Sequence, residues 1–175
     1  MRFFPHDQLK DVCNELLISV GVQKAIAYEV AECLIQTSLR GVDSHGIRLL
    51  PHYIRVAESG RINKKANCSF NQTSLTSGIY DADHTYGHAA ASFAMKEAIK
   101  MADNSGSGFV VVKNSTHFSA SAYYALQASD QDMIGFSSTS TSSTMVPTRG
   151  KKPFLGTNAI TFSFPCKGEG PVCLD

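Results

Sequence analysis

VVVKNSTHFSASAYY, residues 110–124, joins a predicted strand to a predicted helix through a polar turn. The β-branched run Val110 to Val112 predicts a buried strand, and the turn after it carries His117. α/β proteins often place their chemistry where a strand ends, because the strand holds the side chains there rigidly at a cleft. An ordinary histidine titrates near neutral pH, so His117 is a candidate proton carrier. The alternative is that His117 is a hydrogen-bonded polar residue with no catalytic role.

Composition excludes several classes of function. The 175 residues are 43% hydrophobic, enough for a sizeable core, and carry a formal net charge of +1. This balance gives no basic surface for nucleic acid or an anionic membrane, and no apolar run reaches transmembrane or signal-peptide character. Five cysteines without close pairs argue against a disulfide framework and a zinc ribbon. We therefore expect a cytoplasmic protein with reduced thiols and no metal site.

Helical periodicity dominates the first part of the chain. Apolar residues recur at helical spacing over 9–20 and again over 24–40, and a glycine follows each run. Asp43 or Ser44 is expected to cap a third helix. Residues 60–74 are polar and turn-rich, which predicts a connection to a different kind of structure.

The segment GVDSHGIR, residues 41–48, has two interpretations. In the first it is only a turn and a helix cap. In the second, His45 and Arg48 are three residues apart and project from one side of a first helical turn. The planar guanidinium of Arg48 would then suit a substrate carboxylate. The residues themselves leave both interpretations open.

The remaining residues predict alternating strands and helices. The strands are expected at 75–81, 109–112 and 133–138, and the helices at 86–102 and 121–129. His88 falls in the first turn of the earlier of these helices, where we expect a structural role. Ile160, Phe162 and Phe164 alternate with hydroxyl residues and predict a half-buried strand.

Neither the glycine-rich segment nor the hydroxyl-rich segment matches the sequence fingerprint of a Rossmann dinucleotide-binding site. Gly106-Ser107-Gly108 precedes a strand instead of following one, which is the reverse of a Rossmann fingerprint. The run SSTSTSST, residues 137–144, is either a solvated loop or one that offers hydroxyls and backbone amides to a ribose or pyrophosphate.

Three motifs resemble the signatures of one enzyme family. VKNSTHFS at 112–119 is similar to V-x-x-S-x-H-F-G, RGVDSHG at 40–46 to R-G-x-D-S-H-G, and LGTN at 155–158 to L-G-T-N-P. On these motifs the chain resembles the malate/L-lactate/ureidoglycolate dehydrogenases, which are NAD(P)-dependent 2-hydroxyacid dehydrogenases without a Rossmann fold. The resemblance covers nearly all of the chain but only about the N-terminal half of a full family member.

This resemblance implies a fold and a reaction. The fold class would be mixed α/β, with an N-terminal helical segment followed by a non-Rossmann α/β nicotinamide-binding domain that is incomplete in this chain. Residues 1–70 would be the helical part of the substrate domain, and residues 71–175 the N-terminal portion of the NAD(P)-binding domain. The reaction would interconvert a small 2-hydroxy acid and its 2-oxo acid with NAD or NADP, in a homodimer.

The resemblance also implies roles for individual side chains. His117 would be the catalytic acid/base. Arg48 would bind the substrate carboxylate, and His45 and Tyr53 would line the same substrate pocket. The positions implied for cofactor binding are Ser140, Asn158 and Asp175.

Four residues depart from the family pattern. Ser119 and Arg149 stand where the family usually has glycine, Ala122 where glycine often precedes the tyrosines, and Ala159 where the pattern has proline. Added bulk at such positions affects how closely a backbone approaches a ligand. Arg149 would favour a 2′-phosphate, and hence NADP, unless it is simply solvated.

Other functions stay open from the sequence. One is reduction of a cyclic imine acid by the same kind of site. Another is a truncated or degenerate paralogue that binds a ligand or partner without turnover, which as a separate chain would expose apolar surface and self-associate. A serine hydrolase is more distant, because Ser115, His117 and Asp130 are present but the G-x-S-x-G elbow is not.

Overall fold

The computed structural model describes residues 3–175, which form helices and two small sheets. The helices are α1 (His6–Ser19), α2 (Lys24–Leu39), α3 (Leu50–Glu58), α4 (Gly87–Ser105) and α5 (Ala122–Ser129). The strands are β1 (Ser69–Gln72), β2 (Ser77–Asp81), β3 (Phe109–Lys113), β4 (Gly135–Ser138), β5 (Ile160–Phe164) and β6 (Val172–Leu174). The predicted mixed α/β class is confirmed. Within residues 3–175, no helix combines the length and hydrophobicity needed to cross a bilayer.

α1, α2 and α3 pack into one hydrophobic core. α1 and α2, at the two predicted helical runs, form a helical hairpin, and Leu17, Val30 and Leu34 are completely buried there. The same core includes Tyr53 of α3 and Tyr86, the residue before α4. One core therefore extends from the N-terminal helices to the start of α4. The division of the chain into two domains near residue 70 stays a prediction.

The predicted cap of the third helix was wrong. Asp43–His45 and Ile47–Leu49 form two short 3₁₀ turns, and α3 begins only at Leu50, with no side-chain cap. Gly46 separates the turns, and a Cβ there would lie 2.0 Å from Ser38 Oγ. That hydroxyl accepts the Ile47 N–H at 2.9 Å. Contact with α2 thus overrides the local capping preference.

The first sheet has the order β1-β2-β3 and contains a β2-α4-β3 crossover. β1 pairs antiparallel and β3 parallel with β2. The strand β1 lies in the segment that was interpreted as a connection, so that interpretation was incomplete. α4 covers one face of this sheet, where Val110 and Val112 pack. Val111 is 49% exposed on the other face, so the prediction of a buried strand was wrong for alternate residues.

The second sheet is antiparallel, has the order β4-β5-β6, and is covered on one face by α5. The predicted half-buried strand is confirmed as β5, with Thr161 and Ser163 as its buried positions. Ser163 Oγ and Ser129 Oγ of α5 are 2.6 Å apart and hydrogen-bonded. The opposite face of the sheet carries exposed apolar side chains. They are Phe136, Ile160, Phe162, Phe164, Val172 and Leu174, which we call the open face.

Candidate active site

His117 lies in the loop that connects β3 to α5, against the start of α4. Thr116 Oγ1 accepts the Gly87 N–H at 3.1 Å and donates to the Thr85 carbonyl at 3.1 Å. A Cβ at Gly87 would lie 2.2 Å from the Thr116 carbonyl oxygen and 2.8 Å from that of His117. Glycine is therefore required for α4 to approach this loop, and the approach determines where His117 sits.

A tyrosine from α3 holds the His117 ring. Tyr53 Oη and His117 Nδ1 are hydrogen-bonded at 2.8 Å, and the two rings stack with their centroids 6.2 Å apart. Tyr86 Oη in turn donates to the Tyr53 carbonyl at 2.6 Å. Because one ring nitrogen of His117 is engaged by Tyr53, Nε2 is the nitrogen left to meet a substrate.

His45 lies on another side of the same imidazole. Its ring is stacked near that of His117, with centroids 5.8 Å apart and planes inclined by 27°. Ser44 Oγ and His45 Nδ1 are hydrogen-bonded at 2.9 Å. Ser119 Oγ donates to the His45 carbonyl and ties the two histidine segments together. Ser119 has φ +67°, a left-handed conformation that favours the glycine expected at this position.

The electrostatic surroundings favour a neutral imidazole at His117. Partial burial lowers its pKa below the ordinary histidine value, and the neighbouring His45 and His52 lower it further. Burial also raises the pKa of the Tyr53 phenol, which therefore stays protonated. A neutral imidazole beside a neutral phenol can accept a proton at Nε2 and stabilise the resulting cation through Nδ1.

Two cavities are relevant to this site, and the smaller of them is lined by members of the group. One, of about 100 Å³, is lined by His117 and Tyr53 and also by His52 and Arg61. The other, of about 220 Å³, is lined by residues from the end of α2 and the segment after it, the loop before α5, the start of α5 and the residue after β6. It includes Thr37, Arg40, Ala120, Ala122, Tyr123 and Asp175. The Thr37 hydroxyl is buried at this cavity, and within the described residues it has no hydrogen-bond partner.

The structure brings only some of the predicted site residues together. His45, Tyr53 and His117 form one group, whereas Arg48 is exposed in the second 3₁₀ turn and lines neither cavity. Asp175 lines the larger cavity and accepts a hydrogen bond from Thr161. Ser140 and Asn158 lie in the exposed loop between β4 and β5, where Asn158 Oδ1 accepts the Thr141 N–H at 3.0 Å.

Several lining residues were not found from the sequence. His52, Arg61 and Thr37 carry no motif, and only their position beside the two cavities identifies them. Helical spacing is the one sequence feature that could have indicated a lining residue. Val56 lies one turn after Tyr53 on α3, and both line the smaller cavity.

The geometry around His117 also bears on two other chemistries, a serine hydrolase and a metal site. Among residues 3–175, neither Ser115 nor Asp130 makes a hydrogen bond to His117, whose ring partner is Tyr53. In that same part of the chain, no three His, Cys, Asp or Glu side chains are placed to share a metal ion.

Comparison with known proteins identifies the family. The malate/L-lactate dehydrogenase family profile matches residues 4–175. A malate dehydrogenase from Pyrococcus abyssi is 36% identical over 171 residues, which are 98% of this chain and 47% of the relative. An L-sulfolactate dehydrogenase from Methanothermobacter thermautotrophicus is 32% identical over 165 residues, which are 94% of this chain and 48% of that protein.

The fold comparison agrees with the sequence comparison. The crystal structure of malate dehydrogenase from Entamoeba histolytica superimposes with a TM-score of 0.94 at 35% identity, over 99% of this chain and 48% of that one. The chain therefore spans about half the length of the relatives that it matches. The resemblance seen in the three sequence motifs is confirmed, and the chain belongs to the malate/L-lactate dehydrogenase family.

Proposed function

We propose that this chain carries the proton-transfer site of an NAD- or NADP-dependent 2-hydroxyacid dehydrogenase. The observation that carries the proposal is the group formed by His117, Tyr53 and His45, in which Nδ1 of His117 is hydrogen-bonded to Tyr53 and Nε2 has no such partner among residues 3–175. The relatives named malate dehydrogenase and L-sulfolactate dehydrogenase support a small 2-hydroxy acid as substrate.

His117 would act as the base during oxidation of the hydroxyl group. We propose that in the neutral form Nδ1–H donates to Tyr53 Oη across their 2.8 Å contact, which would leave the lone pair of Nε2 for the substrate hydroxyl proton. The imidazolium formed keeps the same hydrogen bond to Tyr53, so the ring need not reorient. In the reverse direction Nε2–H returns the proton to the 2-oxo group. The lowered pKa of His117 favours the neutral base at neutral pH.

Arg48 and His45 would bind the substrate. The exposed guanidinium of Arg48 has the bidentate geometry that a carboxylate needs, and it follows His45 by three residues. Because His45 stacks near His117, a polar group held by His45 would lie close to the reacting hydroxyl. These two residues would orient the substrate, which is a positioning effect on the rate.

We propose that the larger cavity receives the nicotinamide ring. Ala120, in the loop before α5, and Ala122, at the start of α5, present only methyl side chains to this cavity, and the buried Thr37 hydroxyl would hydrogen-bond a carboxamide. We propose that Thr37, Asp175 and the backbone of this loop hold the ring. When bound, the cofactor would supply hydride acceptance and donation at its ring carbon. Ser140 and Asn158 would contact its distal part from the β4–β5 loop.

We also propose that the protein forms a homodimer. The open face of the second sheet exposes aromatic and aliphatic side chains on adjacent strands. Contiguous apolar surface of this kind favours association in water. Arg149 is the residue to exchange if the chain binds NADPH better than NADH, because its guanidinium would suit a 2′-phosphate.

The test is a fluorescence titration of NADH and NADPH, followed by a turnover assay with a panel of 2-oxo acids. We expect binding and turnover in the wild-type chain, and loss of turnover by about a hundredfold or more in His117→Gln with the coenzyme affinity unchanged. His84→Asn is the matched control, because His84 is exposed and its φ of +60° is one that asparagine tolerates.

Each outcome discriminates between the functions. Turnover that survives in His117→Gln would refute the assignment of the base. Coenzyme binding without turnover of any 2-oxo acid would favour a binding protein, and turnover of only cyclic imine acids would favour an imine-acid reductase. A folded chain that binds neither coenzyme would refute the dehydrogenase proposal.

A further inference from the structure

His88, in the first turn of α4, is a buried titratable residue that the proposed reaction does not use. Its side chain is completely inaccessible to solvent. Both ring nitrogens are buried, and within the described residues neither has a hydrogen-bond partner. Buried polar groups without partners are uncommon in folded proteins, because they lose their hydration and gain nothing in return. Because neither nitrogen is paired, the contacts that His88 makes are those of its ring.

The packing of His88 leads directly to the proton-transfer group. Its ring meets that of Tyr53 edge to face, with centroids 4.5 Å apart and planes at 88°. Tyr86 lies on another side at 6.1 Å, also edge to face. The Tyr53 ring is therefore held between His88 and its own hydrogen bond to His117 Nδ1. Aromatic pairs of this geometry are favourable beyond the area that they bury.

We propose that His88 is a positioning residue, whose buried ring holds Tyr53 so that the Tyr53 hydroxyl engages Nδ1 of His117. His88 reaches His117 through Tyr53 and need not touch substrate or coenzyme. This inference rests on the proposed function for its meaning in catalysis, whereas the structural link from His88 to His117 is testable in the chain alone.

The His88 imidazole must stay neutral to pack against Tyr53 in this buried position. Burial, with a smaller effect from the nearby His117, lowers the pKa of His88 to about 3. The groups that face His88 are Tyr53 from α3, Tyr86 before α4, and His117 after β3. The groups that face His117 are His45, His52, Tyr53 and, across the smaller cavity, Arg61. Within residues 3–175 these neighbours include no carboxylate, so a neutral His88 avoids a further cation beside the imidazole.

The experiment compares two substitutions. His88→Leu replaces the ring with an aliphatic side chain, and His88→Phe keeps a ring against Tyr53. The readout is the nitrogen NMR spectrum of histidine-labelled chain, in which His117 is assigned from its absence in His117→Gln. Tyr53→Phe supplies the reference spectrum of a His117 that has lost its Nδ1 partner. Where the chain turns over, kcat and KM are measured across pH.

In the wild type we expect His117 to populate mainly the Nδ1–H tautomer. In His88→Leu the His117 signals should move toward those of Tyr53→Phe, and His88→Phe should restore the wild-type spectrum. In turnover, kcat should fall about tenfold or more in His88→Leu, with KM for the 2-oxo acid within about twofold, because only the proton-transfer geometry is lost. The acidic limb of the kcat profile should shift in the same variant.

A structural role alone would give a different result. Leu17→Ala, which opens a cavity between α1 and α2, is the control for a general loss of stability, and it should leave the His117 signals unchanged. Wild-type His117 signals in a folded His88→Leu, or the same displaced signals in His88→Phe and His88→Leu, would overturn the proposal. If His88→Leu does not fold, His88→Met takes its place under the same criteria. A wild-type chain without turnover would refute the proposed function, while the spectra would still decide the link from His88 to His117.

Discussion

Replacing His88 with phenylalanine should remove the contribution of one buried histidine to the acid sensitivity of this fold. In the unfolded chain His88 has an ordinary pKa near 6.5, whereas burial in the folded chain lowers its pKa to about 3. Between these values the unfolded state binds a proton that the folded state does not, so the free energy of unfolding falls as the pH falls. The stability is fully present above the unfolded pKa and is lost toward the folded pKa.

The magnitude follows from proton linkage. One proton bound only by the unfolded state lowers the free energy of unfolding by about 1.4 kcal/mol per pH unit inside this window. From about pH 7 to about pH 4.5, His88 alone should therefore remove roughly 2.5 kcal/mol. A phenyl ring cannot titrate, so the stability of His88→Phe relative to wild type should rise by about that amount over the same range. His117 titrates in both proteins, and its contribution cancels in the difference.

Urea unfolding followed by circular dichroism at a series of pH values measures this difference. His84→Asn is the control, because it removes an exposed histidine at a backbone conformation that asparagine tolerates. A wild-type and a His88→Phe protein whose stabilities run parallel from neutral to acid pH would refute the reasoning. That result would mean that His88 takes up its proton in the folded state, with solvent reaching its ring.

Three further predictions concern other parts of the fold. Gly87→Ala should lower the free energy of unfolding by about 1–3 kcal/mol and displace the His117 loop, because its Cβ would lie 2.2 Å from the Thr116 carbonyl oxygen. Urea unfolding and the His117 NMR signals measure the two effects, and unchanged NMR signals would contradict the displacement. Glu29→Gln should destabilise the folded chain by about 1–3 kcal/mol, because buried Glu29 pairs with Lys96 and accepts a hydrogen bond from the Ser92 hydroxyl at 2.6 Å. Thermal unfolding measures the loss, and Glu97→Gln, at a more exposed ion pair, is the control. Val172→Lys should weaken self-association by at least about fivefold in sedimentation equilibrium, because it places a charge on the open face at the edge strand β6; equal association would locate the contact elsewhere.

Elements built from local interactions were predictable from the sequence. The expected helices over 9–20, 24–40, 86–102 and 121–129 match α1, α2, α4 and α5 within a few residues. Helical periodicity and terminal glycines act within one or two turns, so a single sequence contains nearly all of the information. The start of α3 was missed because it depends on the contact of Gly46 with Ser38 of the neighbouring helix.

The direction in which a strand faces was decided by tertiary packing. Alternation in β5 indicated a half-buried strand, yet Thr161 and Ser163 are buried against α5 while Phe162 is on the open face. An alternating pattern has two faces, and only the neighbouring helix determines which of them is covered. The same reason explains why Val111 is exposed beside Val110 and Val112.

At the candidate site, the sequence by itself determined which side chains were available, and the motifs around His45 and His117 were enough to name the family. It did not contain their geometry. Tyr53 and His117 are 64 residues apart. They come within hydrogen-bond distance because α3 and the start of α4 share a core, and Gly87 at the start of α4 lies against the His117 loop. The isolation of His88, fully buried with two unpartnered nitrogens among the described residues, is likewise a property of the packed interior. Local propensities act over a few residues, whereas burial and pKa depend on every element packed around a side chain, and only the tertiary structure assembles those elements.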